Sequence, residues 1–151
     1  MTKNELKIKV EIAKSKNVDC DLTEKLAKRI ASDIIIKISP ETKGSIELML
    51  TTAGKIAEIN QKFRGKNEPT DVLSFPLEQL DGAKENIIGT IIICPEIAKQ
   101  KNETCEELLQ HGIIHLLGYD HETDEEEWNS ATSKIKYQKS PQGKLAQKND
   151  R

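Results

Sequence analysis

All three histidines of this 151-residue chain fall within the eleven residues His111-Gly112-Ile113-Ile114-His115-Leu116-Leu117-Gly118-Tyr119-Asp120-His121. No other feature constrains the fold as strongly, because the pattern asks for a helix followed at once by a turn. On a helix, a spacing of four sets the His111 and His115 imidazoles on one face, about 6 Å apart in rise. Gly118 is placed to end that helix in a left-handed turn. A chain that doubles back there brings His121 up as a third ligand. Three imidazoles with one position left open for chemistry make a common zinc site. The alternatives are a pair of core histidines with a third at the surface, or a closed structural site completed by a carboxylate such as Asp120.

The spacing HxxxHxxGxxH is also that of the metallopeptidases that carry HExxHxxGxxH. In those, a glutamate after the first histidine is the general base. Here that place is Gly112, so the ligand geometry is peptidase-like and the acid–base equipment is not.

The flanking sequence reads as alternating strands and helices. Leu6, Ile8, Val10 and Ile12 alternate with charged residues, which predicts a strand with one wet face. Thr23 is a candidate cap for a helix over Leu22–Ile38, with Leu22, Leu26, Ile30, Ile34 and Ile38 recurring at spacing four. Ser45–Leu50 reads as a second strand. A helix starting at Thr51 or Thr52 carries Ile56, Ile59, Asn60 and Phe63, and the loop Arg64–Pro69 follows. Thr70–Pro76 is a short strand that Pro76 ends. Glu78–Glu85 is a polar excursion. The β-branched run Ile87–Cys94 predicts a central strand buried on both faces. Pro95 opens a short helix to about Gln100, and Glu103 or Thr104 opens the histidine helix. The acidic cluster Glu122–Glu127 suits the start of a last helix near Thr123, with Trp128, Ile135 and Tyr137 as its apolar contacts. The order βαβαββααα predicts one sheet with helices packed against it, at least one strand pair being antiparallel.

A chain of this length forms one domain, expected over residues 1–139, with a polar basic tail over 140–151. Residues 133–151 carry six Lys or Arg against one Asp, a balance of +5 in a chain of net charge −2. Such a tail either holds a polyanion or keeps a loose end soluble. No apolar run is long enough to span a bilayer, and the polar start Met1–Glu5 has no secretory pattern. A soluble, cytoplasmic protein without a membrane role is the expectation. Cys20, Cys94 and Cys105 are too scattered for a disulfide framework. They read as small buried or half-buried apolar residues, unless one lies near the histidines.

HGIIHLLGYDH resembles the HGxLHLxGYDH signature of the YbeY endoribonucleases, the bacterial rRNA maturation factors. A second block agrees: Asn60-Gln61-Lys62-Phe63-Arg64-Gly65-Lys66, then Pro69 to Pro76, is similar to that family's N..yRgkd.pTDVLSFP. A third, Ile88-Gly89-Thr90-Ile91-Ile92-Ile93, stands where the family usually has LGDI.I. The resemblance spans about residues 5 to 130. It implies an α+β fold with a mixed sheet of about four strands and about five helices, the metal-binding helix in the core. It implies one metal ion, zinc or another divalent metal, on His111, His115 and His121. It further implies single-strand-specific cleavage of RNA in 16S and other rRNA maturation and in ribosome quality control, with rRNA precursors and the ribosome or its proteins as partners and no DNA. By motif, Arg64 and His115 are the catalytic residues, Arg64 being the cleft arginine that acts on RNA. Lys62 and Lys66 flank it and extend a grip along a single strand. Thr70, Asp71 and Ser74 either fix the loop or touch substrate, and Asp120 orients the turn or a histidine. Thr90 departs from the family's usual aspartate, so whatever that aspartate orients is oriented differently here. The rival reading is a ribosome-assembly factor that binds RNA or protein with little nuclease activity.

Overall fold

The computed structural model describes residues 8–76, 87–120 and 123–135. The elements follow the order read from the sequence: β1 (Ile8–Lys14), α1 (Glu24–Ile38), β2 (Gly44–Leu50), α2 (Ala53–Arg64), β3 (Val72–Pro76), β4 (Ile87–Ile93), α3 (Pro95–Gln100), α4 (Cys105–Leu116) and α5 (Glu125–Thr132). Leu6, the excursion Glu78–Glu85, His121, Tyr137 and the tail 140–151 lie outside the described residues.

Helix starts are set by local chemistry. The Thr23 hydroxyl accepts from Leu26 N and the Thr52 hydroxyl from Lys55 N, each satisfying a first-turn N–H. Thr23 is therefore the cap of α1, and Leu22 is buried but precedes the helix. The last helix likewise starts later than Thr123, at Glu125, because the Asp124 carboxylate caps it by accepting from Glu127 N. The expected apolar stripe of α1 also needs correcting. A strict spacing of four drifts about 40° per step around a helix. The buried face instead runs through Ala27, Ala31, Ile34, Ile35 and Ile38, and Leu26 and Ile30 are only half-buried.

The sheet is mixed, in the order β1-β2-β4-β3. β1 pairs with β2 and β2 with β4 in parallel, while β3 runs antiparallel to β4. β4 is thus central, as its apolar run requires, and β3 is an edge. Alternate residues serve opposite faces. Val10, Ile46, Leu48, Leu50, Val72, Ile91 and Ile93 join α1 and α4 in the larger core. Leu73, Ile92 and Cys94 face the other way and pack with Ile56 of α2. The histidine helix is therefore pressed on one face of the sheet, with α2 on the other.

Candidate active site

α4 begins with a capping box. Thr104 accepts from Glu107 N at 3.1 Å, and the Glu107 carboxylate accepts from Thr104 N at 3.0 Å. Such a pair fixes where the helix starts, and so the phase of everything on it. Its far end is a Schellman turn: Tyr119 N donates to Ile114 O at 3.3 Å, and Gly118 N to His115 O at 2.9 Å. Gly118 has φ +102°, the left-handed conformation expected from its position.

Between these ends the helix lies against the sheet, and Gly112 is the contact. A Cβ there would sit 3.0 Å from Ile91 Cγ2 and 3.1 Å from both Ile91 Cδ1 and Ser74 Oγ. The position that carries glutamate in the peptidases is closely walled here: a methyl group fits only if Ile91 and Ser74 give by a few tenths of an ångström, and a longer side chain has to displace them. Its neighbour His111 is fully buried, and His115, one turn on, is half-buried. Their Nε2 atoms are 2.9 Å apart, with ring centroids at 4.6 Å. Trp128 of α5 packs against both rings, at centroid distances of 5.1 and 5.2 Å. The sequence predicted Trp128 as a core residue only. Nothing local in the sequence reports that it walls the imidazole pair.

Tetrahedral Zn–N bonds of about 2.0–2.1 Å set two ligand nitrogens about 3.3–3.4 Å apart, so this pair, now at hydrogen-bond distance, has to open by about half an ångström to hold one ion. The convergent imidazoles fit a metal in donor type and, with that opening, in spacing. Among the described residues the donor cluster stops at these two, and His121 lies outside them. Asp120 organises the turn through its backbone: its carbonyl accepts from Asp124 N at 2.9 Å and from the Thr123 hydroxyl at 3.4 Å.

Arg64 closes α2, four residues after Asn60, and its Nη1 donates to Asn60 Oδ1 at 3.3 Å. Asn60 is buried, and its Nδ2 donates to Glu68 O at 2.9 Å, so one amide ties the arginine to the loop that follows. The i, i+4 spacing of Asn60 and Arg64 carried that signal in the sequence. Lys62 and Lys66 are exposed on either side.

Asp71 is fully buried and acts as a clamp. Its Oδ1 accepts from Val72 N at 2.8 Å and from the Thr70 hydroxyl at 3.2 Å, and Lys101 Nζ lies 3.6 Å from Oδ2. Thr70 and Asp71 therefore fix the start of β3. Ser74 turns its buried Oγ toward α4 beside Gly112, with no hydrogen-bond partner among the described residues. Thr90 shares the face of Ile92, opposite the histidine helix, and donates to Glu47 Oε1 at 3.2 Å. The residue at the aspartate position of the motif thus points away from His111 and His115.

The cysteines stand apart from the histidine pair. Cys94 is buried behind β4, and burial pushes its thiol pKa up. Cys20 and Cys105 line a cavity of about 350 Å³ at the opposite end of α4. A hydrogen bond from Cys105 lowers the Cys20 pKa to about 6, and the same bond, with burial, pushes Cys105 up.

A protein-family model described as Endoribonuclease YbeY matches residues 8–139. An endoribonuclease YbeY of Sulfurihydrogenibium sp. is 43% identical over 115 residues, covering 71% of this chain and 75% of the relative. One of Sulfurovum sp. is 35% identical over 131 residues, covering 79% and 81%. The solution structure of TM1509 from Thermotoga maritima aligns at 32% identity over 84% of this chain and 85% of that one, with a TM-score of 0.49.

Proposed function

The chain belongs to the YbeY endoribonuclease family, and on that premise we propose that it is a metal-dependent, single-strand-specific endoribonuclease. Its substrates are ribosomal RNA precursors, met in the bacterial cytoplasm during 16S maturation and ribosome quality control. No described helix is long and apolar enough to cross a membrane. The observation that carries the metal reading is the convergence of the buried His111 and the half-buried His115 on one helix face, their Nε2 atoms 2.9 Å apart.

In this reading His111, His115 and His121 hold one zinc or another divalent ion. When bound, such an ion supplies a positive charge that polarises a phosphoryl oxygen and acidifies water. The chain's own residues do the rest. Trp128 excludes water from one side of the imidazole pair and holds both rings in place. Arg64 presents a planar guanidinium able to take two phosphate oxygens at once. The Asn60 bridge fixes that fork relative to the loop and pre-organises it. Gly112 offers no proton acceptor, so the base comes from elsewhere in the cleft or from the substrate's own 2′-hydroxyl.

That missing base is the one observation that favours the rival, an assembly factor binding ribosomal RNA or proteins with little nuclease activity. The test compares wild type, Arg64→Ala and His115→Ala on single-stranded RNA, each metal-stripped and then zinc-restored. Stoichiometric metal in the wild type and cleavage lost in both variants are expected. Cleavage that survives both substitutions defeats the proposal. RNA binding without cleavage by the zinc-loaded wild type establishes the rival, and peptide cleavage would reopen the peptidase reading.

A further inference from the structure

We propose that Phe63 is a stacking platform for one base of a single-stranded RNA, set across the edge strand β3 from the histidine helix. The inference rests on the endoribonuclease reading and adds a subsite to it. Phe63 is 61% exposed, the one large apolar side chain so exposed among the described residues. The core does not account for it. α2 buries Ile56 and Asn60, and Phe63 lies in its last turn, outside that buried set. The ring is held nonetheless: it meets Phe75 of β3 at a centroid distance of 5.2 Å and an angle of 56°, a tilted contact that restrains the ring without covering it.

The surroundings select the occupant. Lys62 Nζ stands over the Phe63 ring, 5.4 Å from its centroid, on an exposed, flexible side chain that an incoming base can displace toward its phosphate, and Arg64 and Lys66 follow within three positions. A protein-docking site would need a wider apolar patch. A lone aromatic ring among cations suits a nucleobase, whose π-face stacks while its phosphates meet the positive charge. A base paired and stacked in a duplex has no face to give, so the platform favours single strands.

The route to the histidines is short in topology. β3 is the sheet edge, and its consecutive residues Ser74 and Phe75 point to opposite faces. Phe75 supports the platform, while Ser74 Oγ lies against the Gly112 position of α4. A single strand crossing the β3 edge runs from the ring to the imidazole pair.

The test measures fluorescence anisotropy of a short labelled oligoribonucleotide, read before measurable cleavage, on wild type, Phe63→Ala, Phe63→Leu and Phe63→Trp. Loss of the π-face is expected to weaken binding roughly 5- to 150-fold in the Ala and Leu variants, from the typical value of one base–aromatic stack. Phe63→Trp is expected to bind at least as tightly as wild type. Should Phe63→Ala fail to fold, Leu, which keeps the apolar contact with Phe75, carries the comparison against Trp. An oligonucleotide of abasic ribose phosphates, with the charge but not the bases, is expected to bind all four proteins alike. Variants matching wild type on base-bearing RNA, or weakened equally on the abasic one, overturn the platform and leave the nuclease reading standing. A wild type that binds neither oligonucleotide overturns both.

Discussion

Gly112→Ala tests why the histidine helix can lie so close to the sheet. The added methyl would sit 3.0 Å from Ile91 Cγ2, 3.1 Å from Ile91 Cδ1 and 3.1 Å from Ser74 Oγ. Unstrained carbon contacts lie at about 3.5–4.0 Å, so something must give by roughly half an ångström. The Ser74 hydroxyl can rotate. Ile91 Cγ2 cannot, because it branches from the Cβ of a fully buried residue on the central strand. Against this stands the helix propensity of alanine, about 1 kcal/mol better than glycine in a helix interior. Overpacking a filled core costs about 1–3 kcal/mol, so the net expectation is a loss of about 1 kcal/mol. For a chain of this size that lowers Tm by roughly 2–4 °C. Relief should be partial in the double variant with Ile91→Val, which removes Cδ1 and leaves Cγ2, with a coupling of about 0.5–1 kcal/mol. The assay is thermal unfolding by circular dichroism across the four proteins of the cycle, with zinc affinity alongside, since His111 is adjacent in sequence. An alanine variant that melts higher than wild type, with no coupling to Ile91→Val, refutes the packing argument. Gly112→Glu, which restores the peptidase pattern, is expected to fail to fold and to gain no peptidase activity.

Three further outcomes follow from the geometry. Lys101→Ala removes the cation beside the fully buried Asp71 carboxylate but leaves its two hydrogen bonds; because Lys101 is itself 44% exposed, the loss is expected between that of a surface pair and a buried one, about 1–2 kcal/mol by urea denaturation. Trp128 is the chain's one tryptophan and lies within 5.2 Å of both imidazoles, so Co²⁺ titration is expected to quench its fluorescence, chelation to restore it and His115→Ala to weaken the response. Cys20, its pKa lowered to about 6 by Cys105, is expected to alkylate at pH 7 well ahead of Cys94 in mass-spectrometric mapping. Its thiolate's contribution to stability is full above the ordinary thiol pKa of about 8.5 and lost as pH falls through 6. Cys105→Ala should slow Cys20 alkylation at pH 7 and leave it unchanged above pH 9.

What the sequence disclosed and what it withheld divide along a physical line. The element order, the cap at Thr23, the narrowing of two further helix starts to Thr51 or Thr52 and to Glu103 or Thr104, the Gly118 turn and the shared face of His111 and His115 all depend on residues within five positions of one another. Hydrogen-bond geometry and helix periodicity fix such features locally. The strand order β1-β2-β4-β3 depends on pairings across the whole chain, and no local pattern encodes it. That order in turn decides the meaning of single residues. Gly112 reads in the sequence as a missing base, and in the fold as the point where α4 touches β4. The two meanings are one constraint, because a helix this close to the sheet excludes the glutamate that a peptidase would need. Thr90 reads in the sequence as the loss of an aspartate that would orient a ligand or substrate, and strand alternation turns it to the face opposite the histidine helix, toward Glu47. A departure from the motif at that position therefore leaves the imidazole pair untouched. Its consequences fall on the face that carries Phe75, where α2 ends in Phe63 and Arg64.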